Sequence, residues 1–170
     1  MSARVSVAVF GSARLRPGDA EYEVARRLGA LIAREGWDVR TGGYNGAMAA
    51  VSEGAAGEGG HVIGVTCIDI EEWRKSRPNQ WVKEERRKKT LMERLTGLIE
   101  GCDAAIALPG GAGTLTEVSL MWNLMIVQSL PPRPLTLVGS GWQSTFDQFF
   151  TDFESYVHTH HRELLYFAED

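Results

Sequence analysis

The 170-residue sequence is short of cysteine and lysine, has no excess of positive charge and contains no long apolar run. Its two cysteines, Cys67 and Cys102, cannot form a disulfide framework and read as small buried thiols of a reducing compartment. Lysine and arginine number 18 against 22 aspartates and glutamates, a net charge of −4. That balance is opposite to what coats a phosphate backbone, so no nucleic-acid partner is expected. No stretch approaches the roughly 18 apolar residues of a membrane span. The N-terminal MSARVSVAVFGS is too short in apolar residues for a signal peptide, which gives the expectation of a cytoplasmic protein without membrane contact. No internal repeat or low-complexity linker is present. With 44% hydrophobic and 24% charged residues the chain has ordinary globular usage, and its length suits one domain over residues 1–170.

Short apolar runs alternate with helical patterns. Strands are expected at Val5–Phe10, Trp37–Arg40, His61–Thr66, Asp103–Leu108 and Pro134–Val138, bounded by glycine or proline turns. Helices are expected at Asp19–Glu35, after Asn45 as N-cap, at Glu84–Glu100, at Thr114–Gln128 and after Gly141. Cys67–Gln80 shows no period and reads as a loop; the tail from His158 fits strand or helix. This alternation describes an α/β fold with a mainly parallel sheet and helices on both faces, a Rossmann-like three-layer arrangement. Ligands of such folds bind beyond the carboxyl ends of the strands, where strand order reverses.

Three glycine turns would lie on that edge: Gly11-Ser12-Ala13, Thr41-Gly42-Gly43 and Pro109-Gly110-Gly111-Ala112-Gly113-Thr114. Glycine lets backbone N–H groups approach an anion, and a helix N-terminus favours one. The segment PGGAGTLTE therefore suits a phosphate on the N–H groups of Gly111, Ala112, Gly113 and Thr114, with Ser12 as an added donor. Glu117, one turn into the helix, has two readings. Thr114-x-x-Glu117 fits a capping box, and the same carboxylate fits a catalytic group that the helix N-terminus keeps ionised. A dinucleotide fingerprint and a Walker A sequence are absent, although Arg40 leaves an NADP reading open. Arg94 lies at the edge of an apolar arc formed by Leu91, Met92, Leu95, Leu98 and Ile99, with Arg87 near the same edge on one continuous helix. Glu84–Lys88 and Glu85–Lys89 read as surface i,i+4 pairs of that helix.

These features resemble the LOG-type phosphoribohydrolase family, whose bacterial relatives were long labelled lysine decarboxylases. The resemblance runs from Val5 to Phe150 through VFGSA, Tyr22, Leu28-Gly29, TGGYNGAM, GGHVIGV, Glu93-Arg94 and DAAIALPGGAGTLTE. It implies a Rossmann-like fold, a homodimer, and hydrolysis of the N-glycosidic bond of N6-modified or plain adenosine 5′-monophosphate to free base and ribose 5-phosphate. Arg94 and Glu117 fall on the family's essential arginine and glutamate; Gly110, Gly111, Gly113 and Thr114 fall on its nucleotide-binding loop. Three positions depart from the family pattern. Its Arg-Lys pair is Arg94-Leu95, its triple glycine is Thr41-Gly42-Gly43, and its GLMG is Gly46-Ala47-Met48-Ala49. A non-catalytic nucleotide-binding protein on the same scaffold is the alternative reading.

No cofactor is expected. The four lysines, Lys75, Lys83, Lys88 and Lys89, all fall in or beside one charged segment, which is no place for a shielded pyridoxal Schiff base. His158, His160 and His161 lack a matching ligand spacing, so no metal is expected. The helix from Leu115 to Gln128 is apolar nearly all round, which predicts burial on all sides and a second subunit.

Overall fold

The computed structural model describes residues 4–169. The first three residues of the N-terminal stretch, and residue 170, lie outside the described residues. Seven strands, β1 (Ser6–Phe10), β2 (Asp38–Thr41), β3 (Val62–Gly64), β4 (Glu84–Glu85), β5 (Ala104–Ala107), β6 (Leu135–Val138) and β7 (Tyr166–Ala168), form one sheet in the order β4-β3-β2-β1-β5-β6-β7. Every pairing is parallel. Seven helices connect them: α1 (Ala20–Arg34), α2 (Ala47–Gly57), α3 (Ile68–Arg74), α4 (Leu91–Glu100), α5 (Ala112–Ile126), α6 (Ser140–Asp152) and α7 (Thr159–Arg162).

Side chains alternate across a strand, and β1 shows how the core divides. Val7 and Val9 join Tyr22, Ala25, Val39 and Val51 under α1 and α2. Ala8 and Phe10 join Leu98, Ile99, Val118, Met121 and Trp122 under α4 and α5. The strand order reverses between β1 and β5, as the doubly wound expectation requires. There the two glycine turns meet: the Ser12 N–H donates to Pro109 O at 3.2 Å, and the Leu108 N–H donates to Phe10 O at 2.9 Å. The Trp142 indole N–H fixes the end of β5 from α6, donating to Leu108 O at 3.2 Å.

Several local expectations are corrected. Cys67–Gln80 contains α3, a two-turn helix without a buried residue, which therefore leaves no apolar period in the sequence. The expected helix Glu84–Glu100 begins only at Leu91. Upstream, the backbone pairs with β3 and its extension: Lys83 N–H donates to Val62 O, Arg86 N–H to Gly64 O and Lys88 N–H to Thr66 O. The helical i,i+4 pairs from Glu84 and Glu85 therefore do not form. Glu84 meets His61 and Arg86, and Glu85 accepts from the Thr66 hydroxyl. Gly46, not Asn45, is the N-cap of α2; its φ of 69° lies in the left-handed region that favours glycine. The tail supplies both α7 and the edge strand β7. Helix α5 is not buried on all sides within one chain. Val118, Met121, Trp122 and Met125 face the core, whereas Leu115 and Val127 are exposed. Among the described residues no helix is long and apolar enough to cross a membrane, and no group of His, Cys, Asp and Glu is arranged to hold a metal ion.

Candidate active site

The site is built where β1 and β5 part. Helix α5 starts at Ala112 with Gly111 as N-cap and no side-chain cap, so the N–H groups of its first turn point outward with no intrahelical acceptor. Gly110, Gly111, Ala112 and Gly113 are exposed, whereas Thr114 is buried beneath Gly110. A Cβ at Gly110 would lie 2.1 Å from the Thr114 hydroxyl oxygen, so the loop closes over Thr114 only as glycine.

The capping-box reading of Thr114 and Glu117 is overturned, because the N-cap is Gly111 and the helix begins at Ala112, which makes Thr114 the N3 residue and Glu117 the sixth in the helix. The same Thr-x-x-Glu pattern does cap a helix elsewhere. The Thr90 hydroxyl accepts from the Glu93 N–H, and the Glu93 carboxylate accepts from the Thr90 N–H, at the start of α4.

Glu117 is instead buried one turn below the loop, facing Arg94 of α4. The Arg94 Nη1 lies 3.8 Å from Glu117 Oε1, an ion pair too long for a direct hydrogen bond. Arg94 is itself 5% exposed, and its guanidinium is held by its surroundings. Its Nε donates to Val65 O at 2.8 Å, and Nη2 lies 3.8 Å from Met48 Sδ. Gly42 gives it room: a Cβ there would sit 1.7 Å from Nη2. Burial pushes the Glu117 carboxyl up to about 7, with Arg94 pulling it partly back. The expectation that the helix N-terminus alone keeps this group firmly ionised is therefore corrected. Desolvation outweighs the arginine, and burial holds the carboxyl up at about 7.

The other predicted residues are divided. Ser12 lies on the same edge, its Oγ accepting from the Arg14 N–H at 3.1 Å. Gly42 lines Arg94, and Gly43, at φ 78°, packs against Thr66 and Gly64. Arg87 does not share a helix with Arg94. It lies in the segment before α4, is more than half exposed, and pairs with Glu71 of α3. Three contributors escaped the sequence reading: Tyr44, Met48 and the Val65 carbonyl. The one signal available for Tyr44 was an aromatic residue set inside a glycine turn. A cavity of about 500 Å³ lined by Tyr22, Asn45, Gly46, Asn79 and Trp81, among others, borders the same β2–α2 turn, but neither Arg94 nor Glu117 lines it.

Known proteins resemble this chain in sequence or in fold. A probable cytokinin riboside 5′-monophosphate phosphoribohydrolase of Oryza sativa subsp. japonica is 32% identical over 157 residues, covering 89% of this chain and 66% of the relative. Cytokinin riboside 5′-monophosphate phosphoribohydrolases of Mycobacterium marinum and Mycobacterium tuberculosis are 37% and 35% identical, covering 59% and 69% of this chain and 54% and 62% of theirs. The chain thus spans between about half and two thirds of the length of these relatives. Among solved structures, the molybdenum cofactor binding protein of Rippkaea orientalis superposes with a TM-score of 0.77 at 24% identity, covering 100% of this chain and 92% of that one. The molybdenum cofactor carrier protein of Chlamydomonas reinhardtii gives 0.72 at 24%, covering 99% and 91%. Both share the fold, which is the Rossmann-like arrangement expected. The glycine loop, the arginine one helix upstream and the glutamate one turn downstream all fall within residues 4–128, the span that matches the SLOG cluster4 family, and the chain belongs to that family.

Proposed function

We propose that the protein is a phosphoribohydrolase that cleaves the N-glycosidic bond of adenosine 5′-monophosphate or an N6-modified form of it. The observation that carries the reading is the buried Arg94–Glu117 pair, 3.8 Å apart, directly beneath an uncapped helix N-terminus. The 5′-phosphate would rest on the N–H groups of Gly111, Ala112, Gly113 and Thr114, with Ser12 as a further donor. A phosphate on that seat would bring the ribose toward Glu117. Ionised Glu117 then accepts from ribose hydroxyls and offsets positive charge as the C1′–N9 bond breaks. Water supplies the new C1′ oxygen, and its two protons are shared between the base nitrogen and the sugar hydroxyl. Arg94 orients the nucleotide or offsets negative charge on the departing base. Curated relatives at 32–37% identity carry the same activity in their names, which supports the reading.

The test is direct: purified protein is incubated with a panel of nucleoside monophosphates and free base is measured. Base release from AMP is expected, and Glu117→Gln is expected to abolish turnover while AMP affinity is kept. Because ionised Glu117 is the working form and its carboxyl sits near 7, kcat/KM is expected to rise with pH through that value. A flat profile, or equal loss of binding and turnover in Glu117→Gln, would remove the catalytic role.

A second reading, nucleotide binding without catalysis, is favoured by one observation. Leu95, where the family pattern has lysine, is buried, so no second positive charge adjoins Arg94 in α4 at that position. Tight AMP binding without base release, unaffected by Arg94→Ala, would establish it.

We also infer a cytoplasmic homodimer. The free, buried Cys67 and Cys102 fit a reducing compartment, and Leu91, Met92 and Leu115 leave apolar surface exposed on α4 and α5. Light scattering after size exclusion is expected to give twice the chain mass.

A further inference from the structure

The Arg94 guanidinium is held from outside α4, by the Val65 carbonyl after β3, by Met48 of α2 and by the turn between β2 and α2. Tyr44 in that turn is buried, and the Arg94 Cζ lies 5.7 Å from its ring centroid, within cation–π reach. The ring cannot drift. Its oxygen accepts from the Cys67 N–H at 2.9 Å, and its hydroxyl has two acceptors in reach, Cys67 O at 3.0 Å and Glu71 Oε1 at 3.4 Å. Glu71 in turn pairs with Arg87 at the surface. The turn is fixed from the other side by Asn79, whose Nδ2 donates to Gly43 O and Tyr44 O. Arg94 is thus enclosed by Tyr44, Met48, Gly42 and the Val65 carbonyl, and Glu117 is its one acidic partner among the described ion pairs.

We propose that Tyr44 is a positioning residue that holds Arg94 toward Glu117, its ring acting as the platform and the start of α3 as the clamp. The proposal rests on reading Arg94 and Glu117 as the reactive pair. It also gives Arg87 a place, as a brace on the clamp through Glu71.

Two readouts separate this proposal from the function on which it rests. Base release from AMP gives kcat and KM, and a carboxyl-carbon NMR titration of Glu117 requires no turnover. Tyr44→Leu is expected to lower kcat about a hundredfold with KM changed less than about threefold, the pattern of a misplaced group. It is also expected to move the Glu117 midpoint upward to that of Arg94→Ala, because the arginine no longer favours the ionised form. Tyr44→Phe keeps the ring and is expected to keep both the midpoint and most of the turnover. Tyr44→Met, which fills the space without an aromatic face, replaces the leucine variant if that does not fold. A folded leucine or methionine variant with the wild-type Glu117 midpoint overturns the proposal, whatever its turnover. If the wild-type chain releases no base, the proposed function fails, and the titration still decides whether Tyr44 holds Arg94.

Discussion

Glu117 carries a cost that follows from its burial. Its carboxyl is raised from the ordinary 4.5 to about 7, so between those values the folded chain keeps a proton that the unfolded chain has released. Stability contributed by this group therefore falls as pH rises through the interval, by about 3 kcal/mol when complete. Glu117→Gln removes the titration. It is expected to be more stable than wild type near pH 8, with the advantage shrinking toward pH 4.5; urea melts across that range measure it. A difference independent of pH would mean that the carboxyl titrates like an exposed one. Such a cost is commonly found where a carboxylate must work in a dry place. Gly42 sets a second constraint at this scale. Gly42→Ala would drive a methyl group into the guanidinium, and it is expected to reduce turnover as severely as loss of Arg94 while leaving most of the core intact.

At the scale of elements, Thr-x-x-Glu occurs twice with two outcomes. At Thr90 it closes a capping box, and Thr90→Ala is expected to cost about 1 kcal/mol in urea unfolding. At Thr114 the preceding glycines let the helix start earlier, so the hydroxyl and carboxylate are freed for other work. No local pattern separates the two cases, since the difference lies in where the chain enters the helix. Strands β1, β2, β3, β5 and β6 were legible as β-branched or alanine-rich runs between glycine and proline turns. Strand β4 was not, because Glu84 and Glu85 sit among charged residues that favour helix, and they gain their extended form from β3. Helix α3 was hidden for the opposite reason: an element that buries nothing leaves no period. The glycine loop, Arg94 and Glu117 could be named from sequence, while Tyr44 and Met48 could not. Their part depends on contacts between segments about 50 residues apart.

For the whole molecule, the family match ends at residue 128, yet the sheet continues through β6 and β7. Leu135, Leu137, Trp142 and Phe146 complete the core under α5, and Trp142 secures the end of β5. A chain cut after residue 128 is expected to lack a cooperative thermal transition, because β5 loses a partner and α5 loses much of its packing. Cooperative unfolding of that fragment by calorimetry would show that the first five strands suffice. The reversal of strand order between β1 and β5 has a further consequence for how the molecule comes into being. The proposed anion seat needs the loop after β5 beside the turn after β1, the arginine arrives from α4, and the residues that cradle it come from the β2–α2 turn, from α2 and from the end of β3. A chain that lacks any one of these parts is expected to lose the site as a whole. Refolding should restore ligand recognition in the same kinetic phase as the native fluorescence of Trp122 and Trp142, since the long-range pairings that join distant parts of the chain serve both at once.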